Sequence, residues 1–131
     1  MFHVKVVAQG AKRVVLGNQV FDYAAGQYLI FSVDLPLSGS VVQASATEPF
    51  LGFGLKLKPD VIAALLLETS APRKTEPPGI AVSDLTDDLL DPIVRLLRLL
   101  DRPKDIAVLA PAIEREILWH NLRERQRLPL L

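Results

Sequence analysis

The pattern of hydrophobic and polar positions changes period once along the chain, near Pro59. Before it, apolar residues alternate with polar ones in short runs, the period of two expected of half-buried strands. Phe2-His3-Val4-Lys5-Val6-Val7, Lys12-Arg13-Val14-Val15-Leu16 and Gln19-Val20-Phe21-Asp22-Tyr23 read as the first three strands. Gly17-Asn18 separates the last two; both residues tolerate positive φ, which predicts a two-residue hairpin. Gly26 closes the next turn, and Tyr28 to Leu35 reads as a fourth strand, ended by Pro36 and the Ser38-Gly39 pair. Ser40 to Ala46 and Phe50 to Lys58 complete about six strands. In the last, Phe53, Leu55 and Leu57 alternate with Gly52, Gly54, Lys56 and Lys58. Its glycines fall where a larger side chain would meet a neighbour.

Beyond Pro59 the period lengthens. Asp60 to Glu68 predicts a short helix with Pro59 in its first turn, and Ser70 to Gly79, with three prolines, reads as a surface connection. Ile80-Ala81-Val82 is a candidate strand. From Thr86 to Leu100 the residues Leu89, Leu90, Ile93, Val94, Leu96, Leu97 and Leu100 cover a wide helical face, with Arg95 and Arg98 on the wet side. Pro92 either follows Asp91 as a cap, at the first helical position, or kinks the helix. A last helix is expected from about Pro111 to Arg125. Strands first and helices after predict an α+β chain, and many short strands with Gly and Pro turns favour a small barrel or sandwich.

Composition narrows the function. The 131 residues suit one domain with one core, strand-rich over 1–58 and helix-rich over 59–125. Charge balances at 15 basic against 15 acidic residues, which leaves no long-range field to grip a polyanion or an anionic membrane. No apolar run approaches the ~18–20 residues of a membrane span, and the N-terminus does not build a secretory signal. Cysteine is absent, which fits a reducing, cytoplasmic setting and removes thiolate chemistry. The two histidines, His3 and His120, are too few for a three-histidine metal site.

Candidate chemistry is sparse. Gly52-Phe53-Gly54 lacks the third glycine of a dinucleotide loop and lies inside a strand. Ser38-Gly39-Ser40 is ordinary turn composition. Asp84, Asp87, Asp88 and Asp91 gather where a helix begins and lack the turn glycine of a calcium loop, so they read as complements to a helix dipole. Glu116 and His120, one helical turn apart, form either an acid–histidine dyad or a surface pair, with the surface pair favoured. Arg123, Arg125 and Arg127 offer either a phosphate contact or a solvated helix end, with the solvated end favoured. Inward aromatics among Phe2, Phe21, Tyr23, Tyr28, Phe31, Phe50 and Phe53 fill a core or line a ligand cavity.

Several segments agree in order and spacing with one family. They are Val7-Ala8-Gln9-Gly10-Ala11-Lys12-Arg13-Val14-Val15-Leu16-Gly17, the stretch Phe21 to Leu29, Ser32-Val33-Asp34-Leu35-Pro36, Glu48-Pro49-Phe50-Leu51-Gly52 and the run from Asp88 to Leu118. Together they resemble the N-terminal regulatory domain of bacterial AraC-type transcriptional regulators, from about Lys5 to Leu122. The resemblance implies a cupin-like β-barrel (double-stranded β-helix type) followed by C-terminal helices. It implies a cytoplasmic homodimer that binds a small effector and meets DNA only through a separate C-terminal helix-turn-helix domain. By this comparison the chain is a fragment, ending at Pro129-Leu130-Leu131 about where a linker begins and starting late. Aligned with metal-binding cupins, the second-motif histidine falls near Leu37, so no metal and no cofactor are expected. Strand alternation gives Val15, Phe21, Tyr28, Ile30 and Phe53 as effector-pocket candidates. The last helix gives Ile113, Ile117 and Leu118 for a dimer contact, though packing on the barrel explains that stripe equally well. The chain is read as not an enzyme; the rival readings are a metal-free cupin-type isomerase and a pure dimerisation module with a filled barrel.

Overall fold

A computed structural model describes residues 2–32, 34–69 and 79–127. The chain divides into two compact units, Met1–Lys56 with Pro78–Leu85 and Leu57–Pro77 with Thr86–Leu131.

The first unit holds the strands β1 (Phe2–Gln9), β2 (Ala11–Leu16), β3 (Gln19–Ala24), β4 (Gln27–Ser32), β5 (Ser38–Gln43), β6 (Leu51–Leu57, its last residue falling in the second unit) and β7 (Ile80–Asp84). They form two antiparallel sheets, ordered β6-β1-β4-β7 and β3-β2-β5. The expected hairpin is present: Leu16 pairs with Gln19 across Gly17-Asn18, with Gly17 at φ +60°. A second left-handed glycine, Gly26 (φ +84°), carries the chain from one sheet to the other, its N–H donating to the Val7 carbonyl.

The sheets do not close into the expected barrel. Among the described residues β3 and β5 edge one sheet and β6 and β7 the other, with no ladder between the two. Two strand limits also differ from the sequence pattern. β4 stops at Ser32, because the Leu35 N–H turns back to the Ser32 carbonyl at 3.2 Å ahead of Pro36. β5 begins at Ser38, so Ser38-Gly39 is strand, with Gly39 opposite Val14, and the turn forms later, where Ser45 and Glu48 bond each other's backbone and side chain.

Between the sheets Val7, Val14, Tyr23 and Leu29 form a buried cluster, flanked by Phe21, Phe31, Leu37, Phe50, Ile80 and Val82. Register assigns the faces. Lys5 pairs with Leu29, so Lys5, Val7 and Leu29 share the inner face of their sheet. Lys12 pairs with Tyr23 and Val14 with Phe21, which makes these four the inner face of the other.

The second unit holds α1 (Pro59–Thr69), α2 (Asp87–Arg98), a 3-10 turn (Leu99–Asp101) and α3 (Pro103–Arg127). Thr86 caps α2, its Oγ1 accepting from the Leu89 N–H at 3.3 Å. Pro92 is therefore neither a first-turn residue nor adjacent to the cap; it is buried mid-helix. α3 begins eight residues before the expected start, at Pro103, and runs through Pro111. α2 and α3 pack together, and Arg95 joins them: its Nη2 donates to both Glu116 oxygens at 2.6 Å while Nε donates to Asp91 at 3.1 Å. Arg115 pairs with Glu68, tying α3 to α1. No helix of the described residues is long and apolar enough to cross a membrane.

Candidate functional site

A cleft of about 190 Å³ opens in the strand unit, lined by Lys5, Val6 and Val7 of β1, Lys12 of β2, Tyr23 of β3, and Phe50, Gly52, Phe53 and Gly54 in and before β6. Glycines give it room. A Cβ built on Gly54 would stand 2.8 Å from Lys5 Nζ, and one on Gly39 would stand 3.3 Å from Lys12 Cε. Each lysine stem therefore lies over a residue with no side chain. The Phe50 ring sits over two more glycines: a Cβ on Gly52 would be 2.9 Å from its Cε1, and one on Gly10 3.2 Å from its Cδ2.

The electrostatics of the cleft are one-sided. Its lining contains two ammonium groups and no carboxylate. Among the described residues neither Lys5 nor Lys12 forms an ion pair; the strand-unit acid Asp22 is taken by Arg13 at 2.8 Å on the outer face. Beyond Lys5, the His3 imidazole is held below its ordinary pKa by burial, with Lys5 and Lys56 adding to the effect. The Tyr23 phenol is pushed above its ordinary value by burial, so at neutral pH it remains a hydroxyl able to donate.

The five pocket candidates do not converge. Phe53 borders the cleft, but β6 alternation puts its ring on the face opposite Gly52 and Gly54, and Phe21 packs on the adjoining cluster. Val15 lies on the outer face of its sheet, opposite Val20, which is 56% exposed. Tyr28 and Ile30 are buried on the face of β4 opposite to Leu29, away from the inter-sheet cluster. Sequence reasoning missed Lys5, Lys12 and Tyr23 as a group. The available signal was the set of glycines at 39, 52 and 54, whose meaning depends on which side chain crosses each from another strand.

The helical unit carries a wider groove of about 760 Å³ lined by Arg95, Arg98, Leu99, Asp101, Arg102, Leu109, Ala112, Ile113 and Glu116. Arg95 and Glu116 there are committed to each other. That engagement also decides the dyad: His120 Nε2 is 3.9 Å from Glu116, whose two oxygens already serve Arg95. The acidic cluster does not converge either. Asp87 and Asp88 occupy the first turn of α2, Asp91 bonds Arg95, and Asp84 accepts from Gln27. Arg123 lies 6.0 Å over the Trp119 ring, and the side chains of Arg125 and Arg127 lie outside the described residues. Of the dimer candidates, Ile113, Ile117 and Leu118 are 8%, 0% and 3% exposed, buried in their own chain. Large apolar side chains are instead exposed at Leu100, Val108 and Leu109.

Compared with known families, residues 2–128 match the profile of the AraC-type transcriptional regulator N-terminus, nearly the whole chain. None of the curated proteins searched matches the chain.

Proposed function

The chain belongs to the family of AraC-type transcriptional regulator N-termini, and on that premise we propose that it senses a small effector and pairs with a second copy, controlling DNA binding carried elsewhere in a cytoplasmic regulator. The observation that carries the sensing reading is the cleft of about 190 Å³ beside the inter-sheet core. In this reading the two sheets are an opened form of the cupin-like barrel, and the effector favours one arrangement of the domain over another.

Pairing uses the helical unit. A partner reaching Ile113, Ile117 and Leu118 would have to displace the chain's own packing. The exposed Leu100, Val108 and Leu109 are open to a second copy without that cost. Light scattering on the purified chain is expected to give a dimer that Val108→Glu converts to monomer. A dimer indifferent to that change removes this surface.

Thermal-shift screening of the chain against small metabolites tests the sensing reading. At least one compound is expected to raise the midpoint, as any ligand selective for the folded state must. A flat response across neutral, cationic and anionic compounds overturns sensing and leaves an assembly module. Stoichiometric nickel, iron or manganese in the purified protein would instead favour a cupin-type enzyme.

A further inference from the structure

Resting on that effector-binding reading, we propose that the strand-unit cleft takes a small aromatic monocarboxylate, its carboxylate between the Lys5 and Lys12 ammonium groups and its ring against Phe50. Three observations converge on this class.

The first is charge. Lys5 and Lys12 lie on the inner faces of two different sheets, are partly buried, and line one cleft that contains no acid. A cation held inside a sandwich is costly unless it meets an anion or reaches water. Here the chain supplies the cations and leaves the anion to be brought in. The bare backbone at Gly39 and Gly54 leaves room for the two lysine side chains.

The second is the wall. The Phe50 ring, laid over Gly10 and Gly52, offers aromatic surface in the cleft, and the Tyr23 hydroxyl adds a neutral donor. A bare inorganic anion would leave the aromatic wall unused, and the cleft lining has neither the arginine fork nor the helix N-terminus that phosphate sites commonly use.

The third is size. About 190 Å³ is slightly more than the roughly 150 Å³ cavity that holds benzene in an engineered protein core. It falls short of the roughly 300–1,000 Å³ pockets of drug-sized ligands. One ring and one carboxylate fit; a nucleotide or disaccharide does not.

Isothermal titration of the purified chain with benzoate, benzamide and inorganic phosphate tests the proposal. Benzoate is expected to bind at least about tenfold more tightly than neutral benzamide, the scale of a charge-assisted contact. Lys5→Met and Lys12→Met should each weaken benzoate by about tenfold or more and leave benzamide unchanged. Added salt should weaken benzoate binding to the unsubstituted chain, which reads the same charge if a variant fails to fold. Equal affinity for benzamide, salt-independent binding, or folded lysine variants that retain full affinity would each overturn the carboxylate assignment. Phosphate binding as tightly as benzoate overturns the aromatic part. Benzamide binding alone, with loss on Phe50→Ala, would leave effector sensing standing while this ligand class falls. No binding by any of the three takes this ligand class down, while effector sensing stands or falls on the thermal-shift screen.

Discussion

At Gly10 the backbone turns from β1 to β2 with φ +89°, and a Cβ there would collide with the Gln43 carbonyl. Neither obstacle is the loose end of a side chain, so neither relaxes readily. Gly10→Ala is expected to lower stability by roughly 1–3 kcal/mol from the backbone conformation alone, with the collision adding to it. Urea denaturation measures this, and an unchanged midpoint would show that the turn rearranges freely. At this scale the sequence was informative about pairing and silent about coverage. The alternation points Val15 and Phe21 inward together, whereas the register sets Val14 opposite Phe21 and turns Val15 outward opposite Val20. Nor does alternation reveal that β4 is buried on both faces, with Tyr28, Leu29 and Ile30 at 2%, 0% and 3% exposure. Three successive buried residues leave no polar position to mark which face meets a cavity, so Tyr28 and Ile30 were natural but unsupported pocket candidates.

Among the elements, the strands were legible because the hairpin Gly17-Asn18 and the turn glycine Gly26 fix their ends. The helices were legible in existence but not in extent, and proline is the reason. A proline inside a helix removes one hydrogen bond and crowds the carbonyl four residues earlier. At Pro111 that carbonyl belongs to Ala107, and both residues are exposed, so the freed carbonyl is open to solvent and α3 continues. A local rule that treats proline as a start cannot see that exposure. Within the same helix Asn121 is 1% exposed, and among the described residues neither its Oδ1 nor its Nδ2 has a hydrogen-bond partner. A buried amide left unmatched works against folding, whereas an apolar side chain of similar shape does not. Asn121→Leu is therefore expected to stabilise the chain by on the order of 1 kcal/mol in thermal unfolding. A loss of stability would show instead that the amide is engaged by water or a partner.

For the molecule as a whole, balanced charge conceals an uneven distribution, and pH exposes it. His3 packs edge-on against Phe31 at 5.4 Å between ring centres, and its pKa is lowered by burial and by Lys5 and Lys56. The unfolded chain then binds a proton more readily than the folded one, so this group favours folding above its unfolded value near 6.5 and that contribution is lost as pH falls through the lowered folded value. Melting temperature is expected to drop on acidification below about pH 6.5, before carboxylates such as Asp22 and Glu68 titrate at lower pH, their values depressed by Arg13 and Arg115. His3→Phe keeps a ring against Phe31 and should flatten the curve in that window; an unaltered curve would assign the drop elsewhere. The cleft has a different kind of consequence. Its dimensions are set by side chains the sequence omits at Gly39, Gly52 and Gly54. One base change turns a glycine codon into an alanine codon. Made at Gly39 or Gly54, that change sets a methyl group against the Lys12 or Lys5 side chain, so the room in the cleft and the placement of its two cations vary together.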